Sequence, residues 1–154
     1  MTTRSQTDGR PIVLFDGLCA FCDGMVGLLL RLDRRRRLLF ASLQSEAGMA
    51  LRTRHGVGHE IDSVVLVIDD RALVHSDAAI GIARALGFPW SLAVVLLVVP
   101  RRVRDWAYRL FARHRYRLFG RLDACRLPGE GESSRVLESV EEVRAAIGPV
   151  DPAR

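Results

Sequence analysis

Polar residues dominate positions 1–10, and the first apolar run is Ile12-Val13-Leu14-Phe15. Four consecutive apolar side chains are what a strand buried on both faces carries. Asp16-Gly17 breaks the run. Met25, Val26, Leu29, Leu30 and Leu32 then recur at helical spacing, and the arginines at 34–37 end that helix. Leu38-Leu39-Phe40-Ala41 predicts a second strand, with a helix after it through about Arg54. His55-Gly56-Val57-Gly58 is a loop. Ser63–Ile68 is dense in β-branched residues and predicts a strand. Asp69-Asp70 turns it, so that Arg71–His75 returns as the second arm of a hairpin. Ser76 fits an N-cap for a helix over Ala78–Leu86, with Gly87 as its stop. Trp90–Val99 and Arg102–Arg113 predict two further helices separated by Pro100, the first packed in the core. Arg135–Ile147 predicts a last helix, with Leu137, Val140, Val143 and Ile147 on one stripe.

The order is therefore β-α-β-α-β-β-α followed by helices, an α/β chain without internal repeats. Two βα units followed by a hairpin and a helix give the outline of a thioredoxin-like domain. That domain is three-layered: a central mixed sheet with helices on both faces, here with extra C-terminal helices. Periodicity alone leaves it one α/β option among several. The expected boundaries are a flexible arm at 1–10, the domain at 11–128, and a linker with the C-terminal helix at 129–154.

Composition narrows the field. With 154 residues and 49% hydrophobic content, the chain is long enough for one core and too apolar for a disordered polymer. Three cysteines make no secreted disulfide framework. The first ten residues lack the apolar centre of a signal peptide. The longest apolar run, Leu92–Val99, falls well short of the roughly 20 residues that span a bilayer. A cytoplasmic setting, where thiols are held reduced, is the expectation. All 23 basic residues are arginine, and residues 98–126 hold nine of them against two acids. Such a segment is either a solvated face or a partner surface.

The chemistry concentrates in Asp16-Gly17-Leu18-Cys19-Ala20-Phe21-Cys22. Cys19 falls at the first helical turn, where free backbone N–H groups and the helix dipole favour the thiolate, the attacking species. Cys22 lies one turn on along the same face, close enough to resolve a mixed disulfide, and is expected to be the more buried thiol. Phe21 is expected to be exposed beside Cys19. Two other readings compete: ordinary small apolar residues, or metal ligands with Cys125 third and Asp16 or a histidine fourth. Zinc wants four ligands, and no second close-spaced pair exists. Asp16 either relays the proton of Cys22 or forms an Asx-type bond at the helix start. A carboxylate raises a neighbouring thiol's pKa, so it does not activate Cys19. Cys125 is either a buried small hydrophobe or a partner thiol for Cys19. His55, His59, His75 and His114 have no ligand spacing and are given no role.

Asp-x-x-Cys-x-x-Cys after an apolar strand resembles the thiol-disulfide oxidoreductase family named DCC after those three residues. Phe40-Ala41-Ser42-Leu43-Gln44-Ser45, Asp69-Asp70 and Ser76-Asp77-Ala78-Ala79 resemble further segments of it. So do Tyr108, Arg115-Tyr116-Arg117-Leu118 and Cys125-Arg126-Leu127-Pro128. The resemblance covers roughly residues 11–128 and implies a thioredoxin-like fold and dithiol/disulfide exchange. Ordinary thioredoxins carry Trp where Leu18 stands. They also place a cis-proline before the strand facing the Cys pair, where this chain has Glu60-Ile61-Asp62-Ser63. Backbone from Ile61 to Ser63 is the expected substitute.

Two function classes follow. In the first, Cys19 attacks a disulfide of a protein or small thiol compound and Cys22 releases it. Asp16 then supports the loop or the proton traffic. No bound cofactor is required, and a dithiol or glutathione system supplies the electrons. In the second, a non-redox thioredoxin-like binding module uses the Arg101–Arg126 face for nucleic acid or an anionic membrane surface.

Overall fold

A computed structural model describes residues 10–61, 63–123 and 133–147. The apolar run Ile12–Phe15 forms strand β1, all four residues buried. Helix α1 (Ala20–Leu32) and strand β2 (Leu39–Ser42) follow, then α2 (Glu46–Arg54), β3 (Val65–Ile68), β4 (Arg71–Val74) and α3 (His75–Leu86). A 3-10 segment at Trp90–Val98 leads into the long helix α4 (Arg101–Phe119). Strand β5 (Val136–Leu137) and helix α5 (Val140–Ile147) are the last described elements.

The five strands form one mixed sheet in the order β4-β3-β1-β2-β5. β1 runs parallel to β2 and β2 parallel to β5, whereas β3 is antiparallel to both β1 and β4. Alternation along β1 divides the core. Ile12 and Leu14 face Leu51 of α2 and Val143 of α5, while Val13 and Phe15 face Val26 of α1 and Ile82 of α3. Helices therefore cover both faces of the sheet, the thioredoxin-like arrangement that the element order predicts. Central β1 is buried on both sides, which is why it reads as an unbroken apolar run.

Four local expectations are corrected. The segment expected as one helix over 135–147 begins as strand β5, with Val136 and Leu137 beside Phe40 and Ala41 of β2. Ser139 and Glu142 cap the following helix: the Ser139 hydroxyl accepts from Glu142 N–H at 3.2 Å, and the Glu142 carboxylate from Ser139 N–H at 3.1 Å. Ser76 is no N-cap. α3 starts one residue before it, and its buried hydroxyl donates to Asp105 of α4 instead. The Trp90–Val98 stretch is not core. It packs against α3, yet Leu92, Val95, Leu96 and Val98 stand exposed, because helices already occupy both sheet faces. Finally, α4 runs on to Phe119, where Gly120 (φ +84°, ψ 173°) ends it in a backbone conformation that is essentially glycine's alone.

One buried ion pair fastens the C-terminal strand. The Arg135 guanidinium donates to the Asp33 carboxylate and to the carbonyl of Leu38 at 3.0 Å. Asp33 also accepts the N–H groups of Arg37 and Leu38 at 3.1 and 2.8 Å, ordering the turn between α1 and β2. Removing one member of such a pair strands the other charge in the interior. Arg135→Leu is expected to cost about 3–5 kcal/mol in urea unfolding. A loss below about 1 kcal/mol, the range of an exposed pair, would contradict the interior role.

Candidate active site

The loop between β1 and α1 carries the cysteines, both free thiols. Cys19 is the N-cap of α1, with extended backbone, and its sulfur accepts the N–H of Cys22 at 3.4 Å. The side chain at this position receives the open end of the helix, as the sequence predicts. The expected order of burial is reversed. Cys19 is 0% exposed and Cys22 5%. The cause is a strap formed by residues 120–122. Gly120 turns the chain back from the end of α4, Arg121 makes an antiparallel bridge with Cys19, and Leu122 N–H donates to Leu18 O at 2.8 Å.

Beneath the loop lies Asp16, buried and surrounded by donors. One carboxylate oxygen accepts from Leu18 N–H at 3.0 Å and from the Gln44 amide at 2.9 Å. The other meets the Arg115 guanidinium at 3.1 Å and the Tyr116 hydroxyl. Burial pushes its pKa up, but the bonds from Tyr116, Leu18 and Gln44 and the charge of Arg115 outweigh it, leaving it below the ordinary aspartate value. The Leu18 bond is an Asx-type contact, one of the two roles the sequence leaves open for Asp16. Burial and the bond to Asp16 push the Tyr116 hydroxyl up, so it stays protonated and donates. Arg121 of the strap lies over the Tyr116 ring, 5.8 Å from its centroid.

Cys22 stands on the other side of the loop. Burial first, then the hydrogen bond and charge of Cys19, push its pKa up to about 12. It lines a cavity of about 330 Å³ together with Arg115, Met25, Ile82 and Tyr108. Exposed Leu28, Trp90 and Phe111 border the same space. Phe21, expected to be exposed, is instead half-buried and packs on Phe111 and Phe119, ring centroids 5.0 and 4.8 Å away. Asp62 and Cys125 lie outside the described residues. Of the backbone expected to replace a proline, Ile61 N–H donates to the Gly58 carbonyl at 3.2 Å and the Ile61 carbonyl accepts from the Arg52 guanidinium at 3.4 Å.

The structure thus brings Asp16, Cys19 and Cys22 into one site and adds Gln44, Arg115, Tyr116 and the strap, which the sequence offers only as segments of the resemblance or as part of the Arg101–Arg126 face. The signal for Arg115 is its phase. It shares the inner face of α4 with Tyr108 and Ala112, at spacings of seven and three, whereas Arg109, Arg113 and Arg117 fall on exposed positions. The Arg101–Arg126 segment is therefore two populations. Arg104 and Arg115 turn inward to Asp77 and Asp16.

A dithiol at the first turn of a helix following a central strand defines a thiol–disulfide redox site on a thioredoxin-like scaffold. The chain belongs to the DCC1-like thiol-disulfide oxidoreductase family, which matches residues 13–121, and it has that family's general thiol–disulfide redox role. It is 44% identical over 124 residues, 79% of this chain and 72% of the relative, to a chloroplastic DCC family protein of Arabidopsis thaliana. It is 38% identical over 136 residues, 88% of this chain and 98% of the relative, to the uncharacterized protein YuxK of Bacillus subtilis. No solved structure matches the chain.

Two expectations test this geometry. Asp16, ionised more readily folded than unfolded, contributes stability that is present above about pH 4 and lost as pH falls below it. Urea midpoints of Asp16→Asn should depend less on pH in that acid range than those of the parent chain. An unchanged slope would remove Asp16 from the acid response. At the strap, a side chain on Gly120 meets no neighbour, so Gly120→Ala acts through backbone strain alone. Alkylation of Cys19, followed by peptide mass mapping, should quicken by roughly fivefold or more, the equivalent of about 1 kcal/mol. An unchanged rate would mean that the strap does not control access.

Proposed function

We propose that the chain is a protein-disulfide oxidoreductase in which Cys19 is the attacking thiol and Cys22 the resolving one. The observation that carries this is the Cys22 N–H donated to the Cys19 sulfur at 3.4 Å at the start of α1, with the second thiol one turn away. The Cys19 thiolate attacks one sulfur of a substrate disulfide. A Cys19–substrate bond forms, the substrate S–S bond breaks, and the departing thiolate takes up a proton. The hydrogen bond and charge of Cys19, two of the three main causes holding the Cys22 pKa up, disappear once Cys19 is tied into that mixed disulfide. Cys22 then loses its proton to the second leaving sulfur and attacks Cys19. The substrate leaves as a dithiol, reduced by two electrons, and the pair is left as a disulfide.

Proteins carrying disulfides and small disulfide compounds are the proposed substrates, and a cytoplasmic dithiol or glutathione system the reductant that returns the pair to thiols. Asp16 is a positioning group in this reading. Four donors converge on its carboxylate and its pKa is lowered, so it is a poor acceptor for the Cys22 proton. Its work is to fix the loop that presents Cys19.

Turnover of a disulfide-bonded test protein should vanish in Cys19→Ser. Cys22→Ser should retain the first step and accumulate a mixed disulfide on Cys19, visible as added mass that a reductant removes. Full turnover by Cys19→Ser would overturn the assignment.

A further inference from the structure

Among the described residues, sixteen large apolar side chains stand exposed, and fourteen of them lie between Phe88 and Phe119. That stretch is the 3-10 segment and α4, both packed on α3. Val98 is 84% exposed and Trp106 62%. On α4, exposed Val103, Trp106 and Leu110 recur at spacings of three and four on one face, exposed Phe111 and Leu118, seven apart, flank it, and exposed Phe119 packs toward Phe21. Arg102, Arg109, Arg113 and Arg117 run beside them, all exposed. The one acid of α4, Asp105, turns inward to Ser76 and Arg101. The outer face of the helix thus has arginines and apolar groups and no carboxylate.

Charge selects the occupant. A row of arginines with no carboxylate beside it among the described residues fits an anionic surface, and the apolar stripe beside it fits the acyl boundary beneath headgroup phosphates. Nucleic acid would satisfy the arginines but leave Leu92, Val95 and Val98 in water. A second copy of the chain would bring further arginine rows to an interface with no carboxylate to meet them. No described helix is long and apolar enough to cross a membrane, so contact would lie in the interface plane.

We propose that the Trp90–Val99 segment and the outer face of α4 form a docking surface for an anionic phospholipid bilayer. The proposal does not rest on the cysteine chemistry, although Trp90 and Phe111 also border the cavity that Cys22 lines.

Both tryptophans of the chain, Trp90 and Trp106, lie in it and report on it directly. The test is flotation of the full chain with phosphatidylcholine vesicles, with and without phosphatidylglycerol, alongside tryptophan emission. Binding to the anionic vesicles, a blue shift on binding, and release by salt are expected. Arg102→Ala/Arg109→Ala/Arg113→Ala should weaken anionic binding on the order of a hundredfold, from about fivefold per arginine. Trp106→Ala should reduce binding to both compositions. Circular dichroism identical to the parent's confirms that the variants fold. No flotation with a folded parent chain would overturn the proposal. So would an emission shift produced by raising protein concentration alone, which marks self-association, or tighter binding to RNA than to the vesicles.

Discussion

The pairing of Asp16 with Arg115, ninety-nine positions apart and both buried, is the constraint on which the site depends. It joins the loop after the central strand to the inner face of a helix that otherwise packs on α1 and α3. A carboxylate in the interior is tolerable only when donors surround it, and four converge here from Leu18, Gln44, Arg115 and Tyr116. Those four come from the catalytic loop, the turn after β2, and α4. Moving any one of these elements would leave a charge unmatched. The pair therefore fixes where α4 ends, and with it where Gly120 turns the strap toward Cys19.

The same scaffold sets the two sulfurs apart chemically. Cys19 lies at the open end of a helix and shares a backbone bridge with Arg121. Cys22, three residues on, lies against an apolar cavity that discourages its ionisation. In the proposed two-step exchange, the asymmetry arises from the surroundings of two identical side chains. It is adjustable by the chemistry itself, because part of what restrains the second thiol is the first.

The parts legible in the sequence were those with local causes. β1, buried on both faces, carries four apolar residues in a row and was placed within its limits. The hairpin at Asp69-Asp70 and the start of α1 at the Cys pair have turn and cap chemistry of their own. What sequence could not supply was partnership at a distance. Val136-Leu137 is a two-residue strand that exists because β2 offers an open edge, and its helical periodicity belonged to the residues that follow. Ser76 has the chemistry of a cap but found Asp105 instead. Trp90–Val99 looked like core because apolar runs usually are, and only the arrangement of the other helices shows that no sheet face was left for it. Arg115 stands in a segment that carries the family resemblance, but its partnership with Asp16 is visible only in the inner phase of α4.

The strap has a consequence for recognition. An incoming chain that is to present its disulfide to Cys19 must replace a segment tethered to the same molecule, and that segment is always at high effective concentration. In the proposed exchange, affinity for such a partner would be scaled down by the fraction of time the strap is lifted. Such competition penalises compact or bulky partners most. It favours extended segments able to re-form the lost antiparallel pairing along Leu18 and Cys19. Discrimination would then rest on backbone conformation at Cys19, beside the apolar cavity that Cys22 lines.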